Sequence, residues 1–388
     1  MDPLLRGEQA VLGAVLLDPA QLDTLRWLAP ADFYRPAHRA LFAAMRKLQS
    51  AGLAALGVRG EVPLSWVTDT VAEAGRHVRG LTASYAHTLI AACPRPEHAP
   101  VYGRMVLEGS IHRTVTEHAV RLEHAARMEA EQQQVEGVLH HVDVLADVLG
   151  DLSRRWGTEL RPAPRPGPVP APTLVRSERT EDERFLLAVL IDQPAAMEEV
   201  YGWLRPQDFA DAGHGQLYRC LGALHHRGEP IDQVTALWEV QRRGLLADGT
   251  LTQDQLDTLF GGPGVGSAEW LGDQIIRSAV VRTAAQAAAS IKTLAEDETL
   301  APGRLISQAL HALGPLDEVR IRWRAATLPT PAWPQGDPAA RVGAALSRST
   351  PRSGPPAATP SRADLPAGAA LIGPTVRASP RHPVRSPP

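Results

Sequence analysis

The sequence predicts an all-α protein: two tandem domains, each a helical bundle followed by a helical hairpin, with a proline-rich linker between them and a disordered tail behind. Three observations predict it. Apolar residues recur at helical spacing through most of the chain, strand-type alternation is almost absent, and residues 27–52 reappear 176 positions later. Nine of these 26 positions are identical, among them Trp27/Trp203, Leu28/Leu204, Asp32/Asp208, Phe33/Phe209, His38/His214 and Gly52/Gly228; composition alone gives roughly two. Upstream, Glu8/Glu183, Leu12/Leu187 and Pro19/Pro194 continue the match at a spacing of 175. A period this long, in two copies, marks a duplicated domain and not a solenoid, whose repeats run to about 20–50 residues. At 388 residues the chain is long enough for both domains to bury a core.

The first repeat opens with an apolar helix near Glu8–Leu17, ended by Asp18-Pro19, where Asp caps and Pro starts the next helix. That second helix carries Leu22, Leu25 and Leu28 and stops at Pro30. Asp32-Phe33 makes a turn with Phe33 buried. A third helix opens at Pro36, aligns Leu41, Phe42, Met45 and Leu48 on one face, and ends at a left-handed Gly52. Residues 53–100, rich in Gly and Pro, read as irregular. Two helices, 101–131 and 135–153, fold back as an antiparallel hairpin. Its apolar positions exceed what one hairpin can bury on itself, so it needs a partner surface.

Residues 161–173 alternate Pro with other residues and read as a stiff polyproline linker. The second repeat then predicts helices over 181–191 and 194–204, a turn at Pro206–Phe209, and a helix through Leu217, Tyr218, Leu221 and Leu224. Helices 234–243 and 252–260, a glycine-rich loop at 261–266, and a hairpin of 268–296 and 303–313 complete it. Beyond Trp323 the Pro/Ala/Arg/Ser composition predicts disorder. The expected division is therefore 1–156, linker 157–178, 179–320, and tail 324–388.

Charge is unevenly spread. Residues 331–388 hold seven Arg against two Asp, a net of +5, which leaves −8 on residues 1–330 out of an overall −3. An acidic body is a poor nucleic-acid surface, and a basic tail a weak candidate one. Cys93 and Cys220 sit at unmatched positions and read as reduced thiols. No run is apolar enough to span a membrane and no leader precedes Ala10–Leu17, so the expected location is cytoplasmic.

The sequence offers little chemistry. A phosphate-binding loop ends in Gly-Lys-Ser/Thr because backbone amides cradle the phosphates and the lysine reaches the terminal ones. The only lysines, Lys47 and Lys292, follow no glycine loop. Gly261–Gly266 resembles a dinucleotide loop but follows a helix and contains Pro263. The repeated His38 and His214 have no Ser, Cys or carboxylate at a repeated spacing, and are expected to hydrogen-bond their own helix starts. His140-His141 and His225-His226 are helix neighbours whose side chains diverge by about 100° and cannot share a metal. Trp27 and Trp203 read as core anchors, Asp32 and Asp208 as turn caps. No catalytic, cofactor or metal residue is assigned.

The order of the pieces resembles one family, the N-terminal domain of DnaB-type replicative helicases. The resemblance rests on Glu8-Gln9-Ala10-Val11-Leu12-Gly13-Ala14-Val15-Leu16-Leu17-Asp18-Pro19 and Asp32-Phe33-Tyr34-Arg35-Pro36-Ala37-His38. In the second repeat it rests on Gly228-Glu229-Pro230-Ile231-Asp232-Gln233-Val234-Thr235 and on Ile275-Ile276-Arg277-Ser278-Ala279-Val280-Val281-Arg282. Residues 53–100 depart from the pattern, as does Ala210–Gly213, where Tyr-Arg-Pro-Ala becomes Ala-Asp-Ala-Gly.

What the resemblance implies is a non-catalytic collar domain. In the family such domains pair through their hairpins, three pairs close a ring, and the collar helps dock primase; the RecA-like motor is a separate domain, for which this sequence has no phosphate loop. The expected function is a replication-associated interaction protein that self-associates or docks a replicative helicase, a primase or a loader. The alternatives are an accessory subunit whose motor is on another chain, and a DNA-binding regulator acting through the tail. The helicase-binding domain of primases resembles the same fold. Pairing of the two hairpins is expected through Val106, Ile111 and Val115 against Ile275, Ile276 and Val280.

Overall fold

Apolar residues at helical spacing, punctuated by Pro and Gly, produce fourteen α-helices and no strand among the described residues. A computed structural model describes residues 2–52, 64–132, 134–157, 177–262, 264 and 266–327. The first bundle contains α1 (Pro3–Leu17), α2 (Gln21–Thr24), α3 (Pro36–Ser50), α4 (Leu64–Gly75) and α5 (Ala83–Ala92). Helix α1 is capped by Asp2, whose side chain accepts from the Leu4 amide, with Pro3 in the first turn. Asp18 closes the far end and accepts from the Ala20 amide at 3.1 Å. Helix α3 spans the stretch bounded by Pro36 and Gly52, whose φ of 76° is the left-handed stop that a β-carbon would disfavour.

The 53–100 segment is more regular than its composition suggests. Trp66 explains α4: it is fully buried and its indole donates to the Val15 carbonyl at 3.2 Å, which ties α4 to α1. Thr82 caps α5 by accepting from the Tyr85 amide. At Gly13 the α1 backbone meets α5 so closely that a β-carbon would strike the Leu89 carbonyl and lie 2.8 Å from Cys93 Cβ. The second helix is only the four-residue α2, because Leu25 and Leu28 are buried in the connecting turn. A 3-10 turn at Pro30–Asp32 and a fully buried Phe33 follow, as expected.

The second bundle repeats the plan: α8 (Ser177–Asp192), α9 (Met197–Tyr201), α10 (Ala212–Arg227), α11 (Gln233–Arg242) and α12 (Gln253–Phe260). The hairpins are α6 (Ala99–Gln132) with α7 (Glu136–Trp156), and α13 (Ala268–Glu296) with α14 (Pro302–Thr327). Helix α14 passes Pro315 and runs through Thr327, longer than the 303–313 arm and into the expected tail. A proline costs an interior helix about 3 kcal/mol, but burial of Leu313, Leu316 and Val319 and two arginine anchors described below hold the helix together. The rest of the expected linker and tail, 158–176 and 328–388, lies outside the described residues.

The described part of residues 1–330 packs as one unit, in which the two repeats share a continuous buried core. No described helix is long and apolar enough to cross a membrane.

Candidate interaction surface

The hairpins decide the arrangement. Each presents more apolar surface than it can cover alone, and α6 packs along α13 while α7 packs on α14. The run is antiparallel: His112 of α6 lies between the carbonyls of Ala295 and Leu300, at 3.0 and 3.1 Å, whereas Glu129, further along α6, lines a cleft with Gln274 and Ser278. Between them Lys292 sits 3.5 Å from Glu123. Ala119, Ala126, Ala284 and Ala288 are all buried, and such small residues let helix axes approach closely. Across the outer pair, Arg320 of α14 grips Asp143 of α7 with both guanidinium nitrogens, one at 2.7 Å. Both lysines of the chain are used in ion pairs, Lys47 with Glu73 and Lys292 with Glu123.

All six residues expected at the pairing surface are buried. The antiparallel run, however, puts Val106 and Ile275 at opposite ends of the helix pair. One turn from Val106, Ser110 donates to Asp32 of its own bundle at 3.1 Å. One turn before Ile276, Gly272 lies under Trp203 and Val200 of its own bundle; a β-carbon there would be 2.6 Å from the indole. The N-terminal ends of the two stripes therefore serve the joint between hairpin and head, and the middles of α6 and α13 bring the repeats together.

That joint is duplicated in detail. Asp32 closes its turn by accepting from the Ala29 amide at 2.6 Å, and Asp208 does so from Arg205 at 2.7 Å, as turn caps should. Each then reaches the second arm of its own hairpin, Asp32 to Arg155 and Asp208 to Arg322. From the first arm, Arg113 donates to the Asp32 carbonyl at 2.6 Å and Arg282 to that of Asp208 at 2.7 Å. Gly103 and Gly272 lie against the Trp27 and Trp203 indoles, whose nitrogens donate to the carbonyls of Thr24 and Glu199. The first-arm pairs Gly103/Gly272 and Arg113/Arg282 are 169 residues apart and the second-arm pair Arg155/Arg322 is 167 apart, not 176, because the segment after the shared histidine is shorter in the second repeat.

The histidines need a correction. His38 Nδ1 is 2.6 Å from Glu8 and His214 Nδ1 is 2.9 Å from Glu183, so a carboxylate does stand at nearly repeated spacing. It escapes notice because it lies a helix upstream, and because separations of 30 and 31 residues hide the match. Glu8 also accepts from the Tyr34 and Arg35 amides, and Glu183 from those of Ala210 and Asp211. Each glutamate thus binds the entry of a later helix to the first helix of its bundle. His38 is fully buried with its other nitrogen 2.7 Å from the Tyr85 hydroxyl, which leaves it no face for a substrate. Burial raises the Cys220 thiol to about 11 and also raises that of Cys93, so neither is poised as a nucleophile.

The model of the DnaB-like helicase N-terminal domain matches residues 4–108 and again 175–258, once in each repeat. The chain carries tandem DnaB N-terminal-type domains. It is 38% identical over 112 residues to the replicative DNA helicase DnaB of Geobacillus stearothermophilus, covering 28% of this chain and 22% of that one. Against that of Mycobacterium leprae it is 38% identical over 124 residues, covering 30% and 18%. With that of Leifsonia xyli it shares 30% over 119 residues, covering 30% and 24%. The matched region thus spans about a fifth of each curated relative. A crystal structure of the N-terminal domain of DnaB helicase from Mycobacterium tuberculosis aligns with 34% of this chain and 95% of its own, at 25% identity and a TM-score of 0.31. Both family matches cover a bundle, and α7, α13 and α14 lie outside them. A collar-type domain related to replicative helicases therefore stands twice in this chain, with no motor domain in the match.

Proposed function

We propose that this protein is a non-catalytic interaction protein of DNA replication, a covalent pair of collar-type domains that docks a replicative helicase, a primase or a helicase loader. The observation that supports it is the antiparallel packing of α6 on α13 within one chain. In the resemblance, collar domains pair through their hairpins and three pairs close a ring; here each chain brings one pair ready-made. Three copies would supply six collar domains, a platform able to cap, seed or block a helicase ring. Val106, Ile111, Val115, Ile275, Ile276 and Val280 hold each hairpin in the orientation that pairing needs.

The test is light scattering and size exclusion of the full chain, alone and with purified helicase, primase or loader from the same host. The chain alone should have the mass of a monomer or a trimer, turn over no ATP, and co-elute with one of the three. Turnover that survives Lys47→Ala and Lys292→Ala would overturn the non-catalytic reading. Failure to bind all three, with salt-sensitive DNA binding that disappears on removing residues 324–388, would replace docking by DNA regulation.

A further inference from the structure

Because the hairpins run antiparallel, each hairpin turn meets the first arm of the other repeat, and two matching places arise. They are not alike. Where the turn of the second hairpin meets α6 beside the start of α1, a groove of about 630 Å³ opens, lined by Pro3, Leu4 and Ala295 and by Glu108, Glu296 and Glu298. Where the turn of the first hairpin meets α13 beside α8, only about 20 Å³ is left, between Glu129, Asp182, Gln274, Arg277 and Ser278.

The first-arm offset of 169 residues puts Glu108 where the second repeat has Arg277, and Arg104 where it has Asp273. The order of charge along the helix is reversed. Arg277 donates to Asp273 at 2.7 Å, with its guanidinium 5.9 Å from the Trp323 ring. Arg104 instead turns wholly to the tryptophan of its own second arm, 4.7 Å from the Trp156 ring, and donates to the Trp156 carbonyl at 3.4 Å. Glu108 is thereby left without the arginine one turn before it. The other cations lining the groove are engaged as well. His112 spans the carbonyls of Ala295 and Leu300, and Arg113 donates to the Asp32 carbonyl and lies 5.4 Å from the Tyr34 ring. Among the described residues, no side chain makes an ion pair or hydrogen bond with Glu108, Glu296 or Glu298. Three such carboxylates beside an apolar patch match a cation that carries apolar surface of its own.

We propose that this groove receives an arginine side chain of the docked partner protein, with an apolar neighbour of that arginine on Pro3 and Leu4. The proposal rests on the docking reading above and gives that partner a place and a chemistry. Arginine suits the groove better than lysine because its planar fork serves two carboxylates at once and sheds water more readily. The second repeat supports the choice, for it sets its own Arg277 in the matching wall. The volume lies within the range of about 300–1,000 Å³ that holds a ligand of a few side chains. With the second place closed, two collar domains present a single docking point, one partner arginine for each chain.

The experiment titrates the blocked tripeptide acetyl-Leu-Arg-Leu-amide into the full-length chain by calorimetry, with the citrulline peptide as its neutral isostere and spermidine as a free polyamine. One site per chain is expected, with a dissociation constant of about 1 mM or less, and binding of the citrulline peptide at least about tenfold weaker. Glu108→Arg, which copies the second repeat and supplies the arginine from within, should abolish binding at an unchanged melting temperature. Glu296→Gln with Glu298→Gln, both on the exposed turn, should weaken it several-fold. Equal binding of the citrulline peptide, tighter binding of spermidine, two sites per chain, or full binding to the Glu108→Arg chain each overturns the proposal. A wild-type oligomer that Glu108→Arg dissociates overturns it too, by making a second copy the occupant. Co-elution separates the groove from the docking reading. A helicase, primase or loader held by wild type and lost with Glu108→Arg supports both, and one held equally by the two chains overturns the groove alone. Peptide binding by a chain that holds none of the three overturns docking by those partners while the arginine site stands.

Discussion

Arg322→Ala should cost more stability than Arg155→Ala, although the two arginines play the same part in the two repeats. Asp208 is 1% exposed; its Oδ2 accepts from the Arg205 amide and from Arg322, and its Oδ1 has no hydrogen-bond partner. Without Arg322 the buried carboxylate keeps one amide, the situation in which breaking a buried pair costs about 3–5 kcal/mol. Asp32 is better supported. Its Oδ2 keeps the Ala29 amide and its Oδ1 keeps Ser110 at 3.1 Å, so loss of Arg155 should cost about 1–2 kcal/mol. The expected gap is about 2 kcal/mol, or roughly thirtyfold in the unfolding constant. Urea unfolding followed by circular dichroism measures it, provided that both variants keep the wild-type slope. Equal losses, or a larger loss for Arg155→Ala, would show that the unpartnered oxygen does not set the cost. Asp208→Asn with Arg322→Met should recover most of the loss, because it removes the charge together with its counter-ion.

Two further outcomes follow from single contacts. Gly13→Ala should destabilise the first bundle by about 1–3 kcal/mol, since its β-carbon meets the Leu89 backbone carbonyl, which cannot swing away; a melting temperature within a degree of wild type would contradict the close approach of α1 and α5. Burial opposes the charge on Glu239, yet hydrogen bonds from Arg243 and Arg227 outweigh it and hold the carboxyl below the usual range. A lowered folded-state pKa contributes stability above the unfolded value near 4.3 and loses it as pH falls through the folded one. The stability difference between wild type and Glu239→Gln should therefore be full at pH 7 and shrink below about pH 4, and a difference independent of pH would refute it.

Much of the architecture was legible in the sequence because its signals are local. Pro36 and Gly52 bracket α3, Asp18-Pro19 ends α1, and the apolar positions of the 101–153 hairpin already asked for a covering surface. What was hidden depends on residues far apart. Helix α4 exists because Trp66 finds the Val15 carbonyl, which no feature of the Gly/Pro-rich segment announces. Helix α14 continues past Pro315 because Arg320 and Arg322 find Asp143 and Asp208, more than a hundred residues upstream. The Glu8–His38 lock was written in the repeat itself, as Glu8/Glu183 and His38/His214, but a one-residue difference in spacing concealed that they were partners. That a hairpin must also hold its own head, which takes the N-terminal turns of α6 and α13, is likewise a contact between distant residues.

The seating of α6 on α13 in a single chain also changes how the pair responds to dilution. Two separate chains held by the same helices would come apart as concentration falls through their dissociation constant. Tethered halves instead face one another at an effective concentration on the order of millimolar, however few molecules are present. A scarce protein built this way keeps its hairpins joined at copy numbers where a two-chain version would be mostly single. The one equilibrium left for the cell to set by abundance is the meeting of whole pairs with one another or with a third party.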